Sequence, residues 1–179
     1  FVPRLLHVFL ASWTVGAALM MSVSAWYLLK KQHVDLAKAN MKVALAGFIL
    51  FATANFAIFG PSMAIEVTNY QPLKLASMEG LWNSTSCAPL FLVGWVNEQN
   101  QTTTGISIPC LLSVLAYFDP QATVQGINSF APAPTPPINL VFQVYHFMFG
   151  FGSLFVPVGL LAGFLYWWKN RLFTTRWML

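Results

Sequence analysis

Three long stretches of this chain carry no Asp, Glu, Lys or Arg, and they restrict the possible folds more than any motif does. They cover 25 residues from Leu5 to Leu29, 18 from Val43 to Gly60 and 31 from Ile138 to Trp168. About 20 apolar residues in a helix cross the hydrocarbon core of a bilayer, and a helix satisfies its own backbone amides there. The three runs therefore predict three transmembrane helices. The second is near the lower limit of length, and Lys42 extends its reach by carrying an ammonium towards the headgroups. The rest of the chain agrees, with 57% of residues hydrophobic and 8% charged, where soluble domains carry about 25%. A net charge of +4, thinly spread, does not suggest nucleic acid. The expected fold class is an all-α membrane protein, three transmembrane helices with a long loop domain between the second and third, as part of a larger helical bundle. The chain starts at Phe1 with no signal-peptide pattern, so it is expected to belong to a longer or processed polypeptide.

Lys30 and Lys31 end the first run, and Gln32 to Asn40 is a short connection. Pro61 lacks an amide hydrogen and crowds the preceding turn, so the second helix is expected to stop there. The expected division is residues 1–60 with two spans (about 5–29 and 43–60), 61–137 as a folded polar loop, and 138–179 with the third span and a basic end. Pro89, Pro109, Pro120, Pro132, Pro134, Pro136 and Pro137 punctuate the loop, and residues such as Phe91, Trp95, Leu111 and Leu112 can bury a small core. Loops this long usually carry function. Lys30, Lys31, Lys38, Lys42, Lys169, Arg171 and Arg176 fall on one side of a three-helix path, and only Arg4 and Lys74 on the other. Basic flanks remain cytoplasmic, so the loop is expected to face outward. Tyr166, Trp167 and Trp168 form an aromatic boundary above Lys169, and Arg176-Trp177-Met178-Leu179 reads as the entry to a further element.

Side chains able to do chemistry are few. His7 lies 23 residues before Lys30 and Met148 lies 21 before Lys169. The two therefore share a depth near the outer surface, each with a small residue (Ala11, Gly152) one turn deeper. A His and a Met on facing helices can fill both axial positions of a haem iron. Equally, His7 can be an interfacial side chain and Met148 packing. His146, also 23 residues from its flank, is a rival ligand; two residues apart on a helix, His146 and Met148 cannot both face His7. In the loop, Lys74 and Glu79 are the only charges between Asn69 and Trp82. Five residues apart, they do not share a helical face. A carboxylate beside a quinol can take a hydroxyl proton, and a lysine can hold a ring oxygen; the alternative is an ordinary solvated pair. Cys87 and Cys110 lie where a disulfide is permitted but not required.

Taken together these residues resemble subunit I of the cytochrome bd-type quinol oxidases. The resemblance is carried by Ala25-Trp26-Tyr27-Leu28-Leu29-Lys30, by Gln71-Pro72-Leu73-Lys74-Leu75-Ala76-Ser77-Met78-Glu79-Gly80-Leu81-Trp82, by Pro136-Pro137-Ile138-Asn139-Leu140-Val141-Phe142-Gln143 and by Tyr145-His146-Phe147-Met148. It implies that residues 61–137 are a short-form Q-loop that oxidises quinol, with Lys74 and Glu79 at the quinol site. It implies that His7 and Met148 are the axial ligands of a low-spin haem b. Some members have an arginine where this chain has His146. The family's high-spin haem b and haem d, where oxygen is reduced, have no matching residues here. The implied partners are the remaining part of subunit I, oxidase subunit II, small accessory subunits, membrane lipid, and ubiquinol or menaquinol. The implied location is a prokaryotic plasma membrane, crossed several times, and the implied output is electrogenic oxygen reduction by the whole complex. A bd-like quinol dehydrogenase serving another acceptor is the alternative within the same chemistry. A membrane scaffold or transporter fragment without haem is the alternative outside it.

Overall fold

The computed structural model describes residues 1–130, 136–168 and 171–173. Pro132, Pro134, Lys169 and the stretch Arg176 to Leu179 lie outside the described residues. Among the described residues, three helices are long and apolar enough to cross a membrane: Val2–Lys30, Val34–Tyr70 and Ile138–Trp167. The chain divides into two compact units, residues 1–60 with 152–179, and residues 61–151.

In the first unit, α1 (Val2–Lys30) and α2 (Val34–Ala54) are joined by only three residues. Lys31 adopts a left-handed conformation (φ 55°) and its amide donates to the Leu28 carbonyl, while Gln32 N donates to Tyr27 O at 3.0 Å. This closure satisfies carbonyls that the helix end would leave bare. The connection is therefore shorter than the expected Gln32–Asn40. The core of the unit holds Ala25, Met41, Leu45, Ala162 and Leu172. Small and hydroxylated residues allow the close approach. Thr14 and Ser24 are buried, and each donates to the carbonyl four residues earlier (2.7 and 2.8 Å). A side chain at Gly159 or Gly163 would press on Phe48 or Ile49 at 2.9 Å, the close contact that a small-xxx-small spacing provides. Large apolar side chains such as Leu19, Val43, Leu50 and Leu160 point outward, as lipid-facing helices require.

The second helix does not stop at Pro61. Residues Asn55–Phe59 form a π-turn, and α3 (Gly60–Tyr70) continues from it. Gly60 N–H donates to Asn55 O, five residues back. The widened turn removes the conflict that Pro61 would create within a regular helix, and it places the proline in the first turn of a new one, where it is tolerated.

The second unit corrects the all-α expectation: it contains two small sheets. Strands β2 (Leu90–Asn97) and β3 (Thr102–Ile108) form an antiparallel hairpin, and β1 (Thr85–Ser86) pairs with β4 (Thr123–Val124). Valine, isoleucine and threonine favour the strands, and Asn97 Oδ1 accepts from the amides of Gln99 and Asn100 to turn the chain. Gly94 and Gly105 face each other across the hairpin. A side chain at Gly105 would collide with the Val93 carbonyl, and one at Gly94 would meet the Phe142 ring at 3.2 Å. The glycines thus let the hairpin lie flat on the start of α6 (Ile138–Trp167), around the core residues Ala76, Val96, Ile127, Ile138 and Phe142. Three polar contacts follow the same seam: Val96 N to Asn139 Oδ1 (3.1 Å), Asn139 N to Glu98 Oε1 (2.8 Å) and Gln143 Nε2 to Gly94 O (2.7 Å). A second core joins Val67, Leu75, Leu90, Leu112 of the short helix α5 (Leu111–Tyr117) and Val124, beside the Cys87–Cys110 disulfide.

Candidate functional site

The central element of the second unit is α4 (Pro72–Glu79). Pro72 sits in its first turn, where the missing amide hydrogen costs nothing. Gly80 ends it at φ +61° with its amide on Ala76 O. A side chain at Gly80 would meet Val96 at 2.8 Å and Thr103 at 2.9 Å, and Thr103 Oγ1 donates to Gly80 O at 2.6 Å. The end of α4 is therefore pinned to the hairpin. Glu79 is its last residue.

The Glu79 side chain is 1% exposed, and neither carboxyl oxygen has a partner in hydrogen-bond geometry. Burial pushes its pKa up to about 8; the nearby Tyr145 hydroxyl acts in the opposite direction, more weakly. Desolvation penalises the charged carboxylate, so this group holds its proton to an unusually high pH. A carboxyl poised in this range is suited to taking and releasing a proton.

His146, on α6, faces Glu79 with Nε2 3.9 Å from Oε2. The same nitrogen is 2.9 Å from Phe91 O on β2, and Nδ1 is 2.8 Å from Phe142 O one turn back. The ring stacks on Phe142 with centroids 3.9 Å apart. Both nitrogens are thus aimed at carbonyl oxygens. Trp82 contributes a further buried polar atom, Nε1, with no partner.

Lys74 is exposed while Glu79 is buried, and no ion pair joins them. Their separation along α4 matches the expectation that they do not share a face. His146 and Tyr145 are the neighbours that sequence reasoning missed. They lie 67 and 66 positions beyond Glu79, so no local pattern announces the contact. The unusual histidine beside Met148 was the available signal.

His7 and Met148 fall in different units. His7 lies in the second turn of α1, half-buried, with Nδ1 unpartnered; the Asn55 side chain is its polar neighbour, and Asn55 Oδ1 is likewise buried and unpartnered. An Nδ1–H directed to Oδ1 would leave Nε2 for a metal, the usual arrangement for a ligating histidine. Met148 is 58% exposed. A side chain placed at Gly150 or Gly152 would meet nothing within 4 Å. An unpartnered imidazole, an accessible thioether and open helix surface fit a haem in their chemistry.

These features define a class: a helical membrane protein with a folded loop domain that buries a protonatable carboxyl. The comparisons narrow it. A family model of cytochrome bd terminal oxidase subunit I matches residues 1–179. The chain is 31% identical over 135 residues to the cytochrome bd-II ubiquinol oxidase subunit 1 of Escherichia coli (strain K12), covering 74% of this chain and 26% of that protein. It is 28% identical over 176 residues to the cytochrome bd ubiquinol oxidase subunit 1 of Bacillus subtilis (strain 168), covering 92% and 36%. The solved bd oxidase from Geobacillus thermodenitrificans matches with a TM-score of 0.84 at 26% identity, over 98% of this chain and 40% of that one. The chain belongs to the cytochrome bd terminal oxidase subunit I family. It spans between about a quarter and two fifths of the length of these relatives.

Proposed function

We propose that this chain is the quinol-oxidising part of a bd-type oxidase subunit I, with residues 61–137 as an outward-facing Q-loop. The observation that carries the proposal is Glu79, a buried carboxyl with two unpartnered oxygens at the pinned end of α4. Lys74, exposed on α4, is the outer contact and donates an Nζ–H to a quinol oxygen. Glu79 is the inner one. Its carboxylate accepts one hydroxyl proton and the second passes to water, as quinol yields quinone, two protons and two electrons.

His7 and Met148 would hold a low-spin haem b, which would supply one-electron chemistry at a raised potential. The aim of both His146 nitrogens at carbonyls supports Met148 over His146 as the second ligand. High-spin haem b and haem d, subunit II and any small accessory subunits belong to the rest of the assembly, which couples this half-reaction to electrogenic oxygen reduction across a prokaryotic plasma membrane. Whether the donor is ubiquinol or menaquinol depends on the ring that fits beside Lys74.

Quinol-dependent oxygen uptake by the purified complex tests the proposal. Glu79→Gln is expected to lower turnover by about 100-fold or more, the usual scale for a lost proton acceptor, with the haem spectrum unchanged. Normal turnover in that variant would overturn it.

A further inference from the structure

We propose that His146 is a positioning residue for Glu79, holding the proton acceptor in place and tying it to α6. The inference rests on the reading of Glu79 given above. Three elements converge on one ring: Phe91 O of β2 at 2.9 Å, Phe142 O of α6 at 2.8 Å and Glu79 Oε2 of α4 at 3.9 Å. One of the two carbonyl bonds is always open to a ring N–H, and both are when each nitrogen carries hydrogen. Stacking on Phe142 removes the remaining rotational freedom. The side chain is 8% exposed, so the contacts are not exchanged with water, and buried polar contacts of this kind constrain position more than surface ones do.

The Tyr145 hydroxyl, the next residue back on α6, is the other polar group beside Glu79. The Glu79 oxygens are buried without a hydrogen bond, and its backbone is held through Gly80 and Thr103. The location of the carboxyl therefore depends on what packs against its head, and His146 is the polar group there whose own position is fixed twice over. A misplacement of about 1 Å in a reacting group is enough to cost a large part of its rate.

The test uses the purified holo-complex with His146→Leu, His146→Gln and Glu79→Gln. Three readouts are followed: quinol kcat and KM, the reduced-minus-oxidised haem spectrum, and the infrared carboxyl band that disappears in Glu79→Gln. His146→Leu is expected to lower kcat about tenfold, the loss of one such interaction in the rate, with KM changed by less than about twofold. It should also shift the Glu79 band while sparing the haem spectrum. His146→Gln, whose amide has two N–H donors, should recover most of the rate and return the band towards its wild-type frequency. Should His146→Leu not assemble, His146→Asn, too short to reach Phe91 O, is expected to show the same loss. An unshifted band, an unchanged kcat, or loss of the low-spin haem signal would each overturn the inference. If Glu79→Gln itself turns over normally, the reading of Glu79 falls and the inference with it. If Glu79→Gln is inactive while His146→Leu is normal, the inference alone falls.

Discussion

Glu79 shows how far a single side chain departs from what its neighbours in sequence suggest. It sits five residues after an exposed lysine on a short helix, yet it is sealed under the hairpin and α6 and holds its proton to about pH 8. The carboxylate is the form that accepts a proton, so quinol turnover should rise as pH increases through about 8, and Glu79→Gln should flatten that profile. Stability moves the other way. The folded-state pKa is raised from an ordinary 4.5, so the favourable contribution is complete below about 4.5 and is lost as pH rises to about 8. Glu79→Gln should therefore unfold at the same temperature as wild type in acid and at a higher one above pH 8, as scanning calorimetry of the detergent-solubilised complex can read. Lys74→Met should act differently, raising KM for quinol several-fold with a smaller change in kcat, because an exposed contact contributes mainly to docking. At this scale the sequence marked Lys74 and Glu79 as the charges to watch. It did not mark their different environments, because the side chains that meet the Glu79 carboxyl, His146 and Tyr145, come from a distant helix.

At the scale of elements, the transmembrane helices were legible from uncharged length alone, and Lys30 and Lys31 did end α1. Two element boundaries were not. Pro61 looked like a stop because a regular helix cannot hold it, and the π-turn at Asn55–Phe59 is a local solution that no residue type announces. The hairpin was hidden because Leu90 to Val96 is a nearly continuous apolar run, ambiguous between strand and buried helix, and its signal lies in the facing Gly94 and Gly105. Gly80 is the more sensitive glycine, since it combines a left-handed φ with contacts under 3 Å to Val96 and Thr103. Gly80→Ala should destabilise the loop domain by about 1–3 kcal/mol and make it cleave faster in limited proteolysis. The disulfide should matter on a similar scale: Cys87→Ser with Cys110→Ser is expected to cost about 3 kcal/mol for a loop of this size, read as a lower midpoint of thermal unfolding.

At the scale of the whole molecule, His7 belongs to an apolar helical unit and Glu79, His146 and Met148 to a loop unit, in a chain of the cytochrome bd terminal oxidase subunit I family. The proposed haem ligands make a separate prediction: His7→Ala and Met148→Ala should each remove the same low-spin haem b band from the reduced-minus-oxidised spectrum and leave other haem bands in place. Survival of the band in Met148→Ala with its loss in His146→Ala would reassign the second ligand. The role of Glu79 as proton acceptor is tested most directly by the rate at which quinol reduces that haem in the anaerobic complex, followed by stopped-flow absorbance in wild type and Glu79→Gln. Reduction should be slowed by about 100-fold or more in the variant, while dithionite still reduces the haem fully. Equal rates of reduction by quinol would contradict it.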